Sequence, residues 1–430
     1  MPTGAPEASK IMELDLNSTD RRIKDCFLAA AGGLSLGRAG WPLISEYFSD
    51  VSAIVAGDLK KAPGEDMDCE ALESFVTKAR ATAGDARRHE AAEKAIERYI
   101  EFGEKLSREY GPQVRVQVLT IFDEDYPEAL RHISNAPVVL FMAGARFDAK
   151  SENFAVVGTR EPSNYSLALC EKITEGISGA GFVIASGMAL GIDACAHATA
   201  IKCGGVTYAV VATGFDIVYP AANRKLYGDI LLSGAVLSEQ LPGEGAKNYS
   251  FVARNRIITG ISKATLVSGA GFQSGALISA KYAFEQSREV FAITGDDYRP
   301  DLKGCHELIR KNYAKLALNS ADILNDICPE KIKKSQIRQS ETRAFKKDKK
   351  ADATAPLEFG RAQAGVLSED EKKVFDLIER LCVKNGAPPT LELIAENAGA
   401  VVSRILAAVS GLELKGAIIE LDGKRYRINK

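Results

Sequence analysis

From Asn153 to Gly295 one pattern repeats: a short apolar run rich in β-branched residues, a glycine turn, then a helical stretch. The strand candidates are Phe154–Val157, Phe182–Ala185, Thr207–Ala212, Ala235–Leu237, Ala264–Val267 and Glu289–Ile293. Gly158, Gly187, Gly214, Gly269 with Gly271, and Gly295 follow five of them, and the fourth runs into Ser238-Glu239. Continuous apolar strands alternating with helices predict a mostly parallel sheet covered on both faces, a doubly wound α/β domain of extended Rossmann-like type. Such sheets bind ligands at the carboxyl ends of their strands, where these glycines lie. Glycine there is expected to let backbone approach a ligand closely.

Composition agrees with a folded chain. With 430 residues, 46% hydrophobic and 26% charged, it has the length for two to four domains and is neither collagenous nor disordered overall. The net charge of -2 argues at first against a nucleic-acid partner. That total conceals an asymmetry. Residues 1–150 hold 19 Lys+Arg against 25 Asp+Glu, residues 151–330 hold 16 against 18, and residues 331–430 hold 20 against 14. The eight cysteines form no Cys-x-x-Cys pair, no 18-residue apolar span occurs, and the opening residues lack a signal-peptide pattern. The expectation is a cytoplasmic protein with no membrane contact and no metal or other cofactor. Cys195, His197 and Cys203 invite a metal reading, but Cys195 and His197 lie two apart on a helix and point to different faces.

Five segments carry candidate chemistry. Gly158-Thr159-Arg160 ends the first strand and opens into a helix, where free N–H groups and a forked guanidinium suit phosphate. The alternative is an ion pair of Arg160 with Glu161 or Glu239. Ser186-Gly187 begins a second turn, which runs on to Asp193; it stands where a ribose-binding acid belongs in a dinucleotide site, and Gly-x-Gly-x-x-Gly is absent. Lys247 precedes Tyr249-Ser250-Phe251-Val252-Ala253-Arg254-Asn255-Arg256. There an aromatic ring can stack on a base while guanidinium groups hold phosphates. The alternative buries Phe251 and pairs one arginine with an acid. Asn223, Arg224 and Lys225 are placed on the same rim. Ser274-Gly275 closes a further glycine-rich turn. No nucleophile–base pair stands out, so binding is expected rather than catalysis.

Flanking segments complete the organisation. Residues 1–20 read as a loose leader. Arg21 to about Asp58 reads helix, glycine turn (Ala31–Gly37), helix, which is either a helix-hairpin-helix that offers N–H groups to phosphate or a protein-contact module. Residues 67–110 read as one or two solvent-facing, charged helices. Residues 330–350 carry nine Lys+Arg against three acids, marking a basic linker over 331–366. Beyond it come an amphipathic helix over Leu367–Leu381 with Ser368 and Glu371 spaced as a capping box, a short helix from Thr390 to Asn397, a third helix over Val401–Leu414, and a hairpin (Ala417–Leu421 and Tyr426–Ile428) turning at Asp422-Gly423. That order predicts a winged helix with Lys424, Arg425 and Arg427 near its tip. Its third helix has Arg404 as its one basic residue, which argues against base readout.

Taken in order, Val157-Gly158-Thr159-Arg160, Ser186–His197, Thr213-Gly214-Phe215-Asp216 with Tyr219-Pro220 and Asn223, Leu237-Ser238-Glu239, Phe251 with Arg254-Asn255-Arg256-Ile257-Ile258, and Ser274-Gly275-Ala276-Leu277-Ile278 resemble DNA-processing protein A, the DprA/Smf family. The likeness extends to the lead-in Leu119–Gly144. The resemblance implies four regions: a SAM-like or helix-hairpin-helix module with its charged extension over 1–110, a Rossmann-like DNA-binding domain over 111–330, the linker over 331–366, and a winged helix over 367–430. It also implies a non-enzymatic protein of natural transformation. Such a protein binds single-stranded DNA, protects it, loads the RecA recombinase, and forms a homodimer through the Rossmann-like domain. By motif position, Arg160, Arg254, Asn255 and Arg256 would contact phosphate with Phe251 beside them; proximity adds Lys247. Ser268-Gly269, Thr294-Gly295 and His306 depart from the family pattern of an acid with alanine, Pro-Gly and Asn. Two other readings remain: a phosphoribohydrolase-like enzyme, for which Glu239 is the candidate carboxylate, and a duplex-DNA regulator acting through the winged helix.

Overall fold

The computed structural model describes residues 21–61, 69–331 and, beyond these, 368–385, 388–398, 404–405, 408–409, 411–412, 417–421 and 425–428. The expected leader, nearly all of the linker and the hairpin tip at Asp422-Gly423 and Lys424 lie outside the described residues. The chain divides into two compact units, Met1–Arg343 and Ala344–Lys430.

In the first unit, helices α1 (Arg21–Ala31), α2 (Gly40–Tyr47), α3 (Val51–Ala56), α4 (Cys69–Ala83) and α5 (Ala86–Tyr110) come first. Strands β1 (Arg115–Thr120) and β2 (Val139–Gly144) follow, with the short α6 (Glu128–Arg131) between them. The alternating part is β3 (Asn153–Val157), α7 (Asn164–Gly179), β4 (Val183–Ser186), α8 (Ile192–Lys202), β5 (Thr207–Val210), α9 (Arg224–Ser233), β6 (Ala235–Ser238), α10 (Asn248–Gly260), β7 (Ser262–Val267), α11 (Gly275–Glu285), β8 (Glu289–Ala292), α12 (Lys303–Arg310), β9 (Lys315–Leu316) and α13 (Ser320–Ile327).

One nine-stranded sheet holds them in the order β1-β2-β6-β5-β4-β3-β7-β8-β9. From β6 to β9 every pairing is parallel, while β2 joins β6 and β1 joins β2 antiparallel. The six expected strands all form. Their residues are buried nearly throughout, as strands covered on both faces must be. The chain leaves β3 toward β4 and returns on its other side at β7. Right-handed crossovers therefore place α7, α8 and α9 on one face and α10 and α11 on the other. The order reverses at the carboxyl end of β3, the switch point where such sheets open a crevice.

The helical front shares the core of the sheet. Phe27 of α1 packs on Phe141 of β2 with ring centroids 5.1 Å apart, and Tyr99 of α5 meets Phe215 edge-on at 5.9 Å. The charged segment, expected to face solvent, is instead two helices with one face in the core, where Leu72, Phe75, Tyr99 and Leu106 are buried. In the glycine turn, the N–H groups of Gly32, Gly33, Leu34 and Leu36 donate to the carbonyls of Leu28, Ala30, Ala29 and Ala136. Those donors serve the protein's interior.

In the second unit a helix spans Glu369–Asn385 and another Leu391–Ala398, and β10 (Ile418–Leu421) pairs antiparallel with β11 (Arg425–Ile428). The Ser368 amide donates to Glu371 (2.6 Å) and the Glu371 amide to the Ser368 hydroxyl (3.3 Å), so the capping box forms. Val374, Ile378, Ile394, Ile405, Leu412 and Ile418 gather in one small core. Much of the third helix expected over Val401–Leu414 lies outside the described residues.

Candidate nucleic-acid interface

The crest at the carboxyl ends of β3, β4 and β5 carries a cleft lined by Arg160, Gly187, Ala189, Leu190, Ala212, Thr213, Tyr219, Pro220, Phe251 and Arg254. Arg160 projects from the turn after β3, at the switch point, and is exposed. Its guanidinium lies 5.4 Å from the centre of the Phe251 ring. Phe251, in the first turn of α10, is half-buried and meets Tyr219 at 5.5 Å between ring centres. Tyr219 is 46% exposed. Two rings and a cation thus share one wall. Among the described residues no carboxylate pairs with Arg160, and Glu239, one of its two expected partners, belongs to another arginine.

That arginine is Arg256. It is buried and binds Glu239 at 2.5 Å through Nη2. Arg254 is buried too. One of its Nη atoms donates to the carbonyl of Gly187 (2.6 Å) and to that of Val210, tying the ends of β4 and β5 together. Burial lowers Arg254 to about 10, opposed by the nearby Asp193, so it stays charged at neutral pH. Burial raises Asp193 above its ordinary range, and Arg254 pulls it back. Both charges are buried beneath the cleft, close enough for each to act on the other. Of the Arg-Asn-Arg segment, Arg254 lines the cleft from below, while Asn255 and Arg256 do not line it.

The remaining candidates scatter around this floor. The Thr159 amide donates to the Gly269 carbonyl (2.8 Å), and the Ser186 hydroxyl to the Val156 carbonyl (2.6 Å) within the core. Gly158 and Thr159 open the turn that carries Arg160. Ser274 caps α11 by accepting the Ala276 amide (3.3 Å), with Gly275 next to it. Lys247 precedes α10, with Nζ 3.6 Å from Glu244 and 5.8 Å from the centre of the exposed Tyr249 ring. Asn223 is buried and donates to the Met188 carbonyl (2.8 Å).

Two crest glycines are needed by the protein itself. A Cβ on Gly187 would collide with the Arg254 guanidinium. Gly191, at a φ of 76°, would place a Cβ against the Thr159 carbonyl oxygen. These two glycines let crest loops and Arg254 close on one another.

His197 is buried, and its Nδ1 lies 2.7 Å from the Thr207 hydroxyl. Among the described residues no cluster of three or more His, Cys, Asp or Glu is placed to hold a metal. Burial, followed by the charge of Arg254, pushes His197 down to about 3 from 6.5, so it folds neutral. An unfolded chain binds its proton near pH 6.5. Stability from this group is therefore complete above that value and is lost as pH falls toward the folded value. Urea unfolding of the parent and of His197→Asn at about pH 7 and about pH 5 should show the parent losing up to about 2 kcal/mol more. Equal losses in both proteins would mean that His197 is not neutral in the fold.

Sequence reasoning passed over Tyr219 as a ring of the site, although Tyr219-Pro220 stood in a recognised segment. It also left Asp193 without its arginine. Comparison with known proteins agrees with the fold. The family model for DNA recombination-mediator protein A matches residues 117–328. Protein Smf from a Synechocystis species is 32% identical over 322 residues, 73% of this chain and 81% of that protein. DNA processing protein DprA from Streptococcus pneumoniae is 40% identical over 230 residues, 53% of this chain and 80% of that protein. The X-ray structure of DNA processing protein A from Streptococcus pneumoniae aligns with a TM-score of 0.52 at 30% identity, over 71% of this chain and 98% of that one.

Proposed function

This chain belongs to the DNA recombination-mediator protein A (DprA/Smf) family, and from that premise we propose that it binds single-stranded DNA along the crest and acts in DNA processing during transformation. The observation that carries the reading is the solvent-open group of Arg160, Phe251 and Tyr219 at the switch point. Rings accept an unpaired base of any sequence, and the guanidinium holds the adjacent phosphate. Bases stacked in a duplex present no free face to such a wall.

The role is binding and delivery rather than catalysis. Glu239, the candidate carboxylate for an enzyme, is held by Arg256, and His197 is buried and neutral. Family membership supports handing the bound strand to the RecA recombinase. Exposed Phe284, Tyr313, Leu316 and Leu318, at the β9 end of the sheet, support a homodimer through the α/β part. Sedimentation at micromolar concentration tests the dimer, and a strictly monomeric protein would remove it. RecA filament growth on strands coated with this protein tests the handover, and inhibition there would remove it.

Fluorescence anisotropy with a labelled single-stranded oligonucleotide and its duplex tests the central claim. The single strand should bind at least about tenfold more tightly, a difference of about 1.4 kcal/mol and within the range of one stacked base. Raising salt from about 50 to about 200 mM should weaken binding modestly, because a slope of about -0.7 per phosphate contact applies to single strands. Equal affinity for the duplex would overturn the crest assignment.

A further inference from the structure

Cys170 and Cys195 occupy facing turns of α7 and α8, away from the cleft. Each thiol reaches across to the other helix, which brings the two side chains together at this interface. The surrounding contacts are reciprocal. The Cys195 thiol points to the carbonyl of Leu167, one turn before Cys170, at 3.8 Å. The Cys170 thiol points to the carbonyl of Ile192, one turn before Cys195, at 4.0 Å. Each sulfur therefore sits in the other helix's turn.

The two thiols differ in access. Cys170 is fully buried, with Thr174 as its other neighbour at 3.9 Å. Cys195 is part-exposed and lies in the first turn of α8, where the helix dipole favours a thiolate. The neighbouring Cys170 thiol brings Cys195 down to about 7, assisted by Thr199 and Lys202 and opposed by burial and Glu171. Cys195, and after it burial, raise Cys170 well above the ordinary thiol range. One sulfur is an accessible nucleophile and the other a protonated partner held against it.

We propose that Cys195 and Cys170 form a peroxide-reactive dithiol that closes to a disulfide between α7 and α8. The Cys195 thiolate attacks one oxygen of hydrogen peroxide. An S–O bond forms, the O–O bond breaks, and hydroxide leaves to take up a proton as water. The Cys170 sulfur then attacks the resulting sulfenic acid sulfur. The S–S bond forms, the S–O bond breaks, and the departing hydroxyl takes the Cys170 proton as water. The two thiols lose two electrons in total and one peroxide gains them. The helices joined in this way are those that follow the Arg160 and Gly187 turns, so closure fixes two crest loops relative to one another.

The proposal does not depend on DNA binding, and its test is chemical. The full-length protein, reduced and then treated with hydrogen peroxide, is digested without reduction and mapped by mass spectrometry. A peptide joined through Cys170 and Cys195 is expected, two hydrogens lighter than its parts and released by dithiothreitol. In Cys170→Ser, the Cys195 sulfenic acid has no resolving thiol and should be trapped by dimedone. In Cys195→Ser, Cys170 should stay reduced at the same peroxide dose. Finding Cys195 still reduced in the parent while the exposed Cys203 is oxidised would overturn the proposal. So would a dimedone adduct on parental Cys195 with no cross-linked peptide.

Discussion

Replacing Arg254 with alanine is expected to destabilise the protein by about 2–4 kcal/mol, because it leaves buried polar groups unsatisfied and removes the cation that offsets the buried Asp193. The change leaves Asp193 inside without its cation and strips the Gly187 and Val210 carbonyls of their donor. Lysine is a poor substitute, because a single ammonium on a flexible stem cannot reproduce the planar fork. The double variant Arg254→Met with Asp193→Asn should recover part of the loss, since apolar replacement of a whole buried pair is often tolerated. Urea unfolding midpoints measure all three. A loss below about 1 kcal/mol for Arg254→Ala would show that the guanidinium is not held in the interior.

This reading of Arg254 marks the limit of what the sequence could convey. The six central strands were legible because short apolar runs bounded by glycine have few other uses. Strand β9 was not, since two residues show no periodicity. The Ser368–Glu371 capping box was legible because it is local. The arginines were not separable by the same means. Arg160, Arg254 and Arg256 share one chemistry, yet the fold buries Arg254 and Arg256 and leaves Arg160 exposed. The glycines were ambiguous for a related reason. A strand-end glycine signals close approach, and the sequence does not say whether a ligand or another loop approaches. Tyr219 lies 32 positions before Phe251, so its ring becomes a neighbour only when the loop after β5 and the start of α10 meet on the crest.

For the interface itself, Phe251→Ala should weaken single-stranded DNA binding by about 1–3 kcal/mol, or about 5- to 150-fold. Tyr219→Ala should act in the same direction. The two losses should not add, because the rings touch and each shapes the wall for the other. Arg160→Ala should weaken binding and also lower the salt slope by about 0.7, the signature of one lost phosphate contact. The ring variants should leave that slope unchanged, which separates stacking from charge. Lys150→Ala, at the opposite end of the sheet before β3, is the control and should bind like the parent. The net charge of -2 does not weaken this expectation, since one exposed guanidinium at the switch point acts locally and net charge governs long-range attraction. Correctly folded Arg160→Ala and Phe251→Ala proteins that both bind with parental affinity would place the strand somewhere other than this crest.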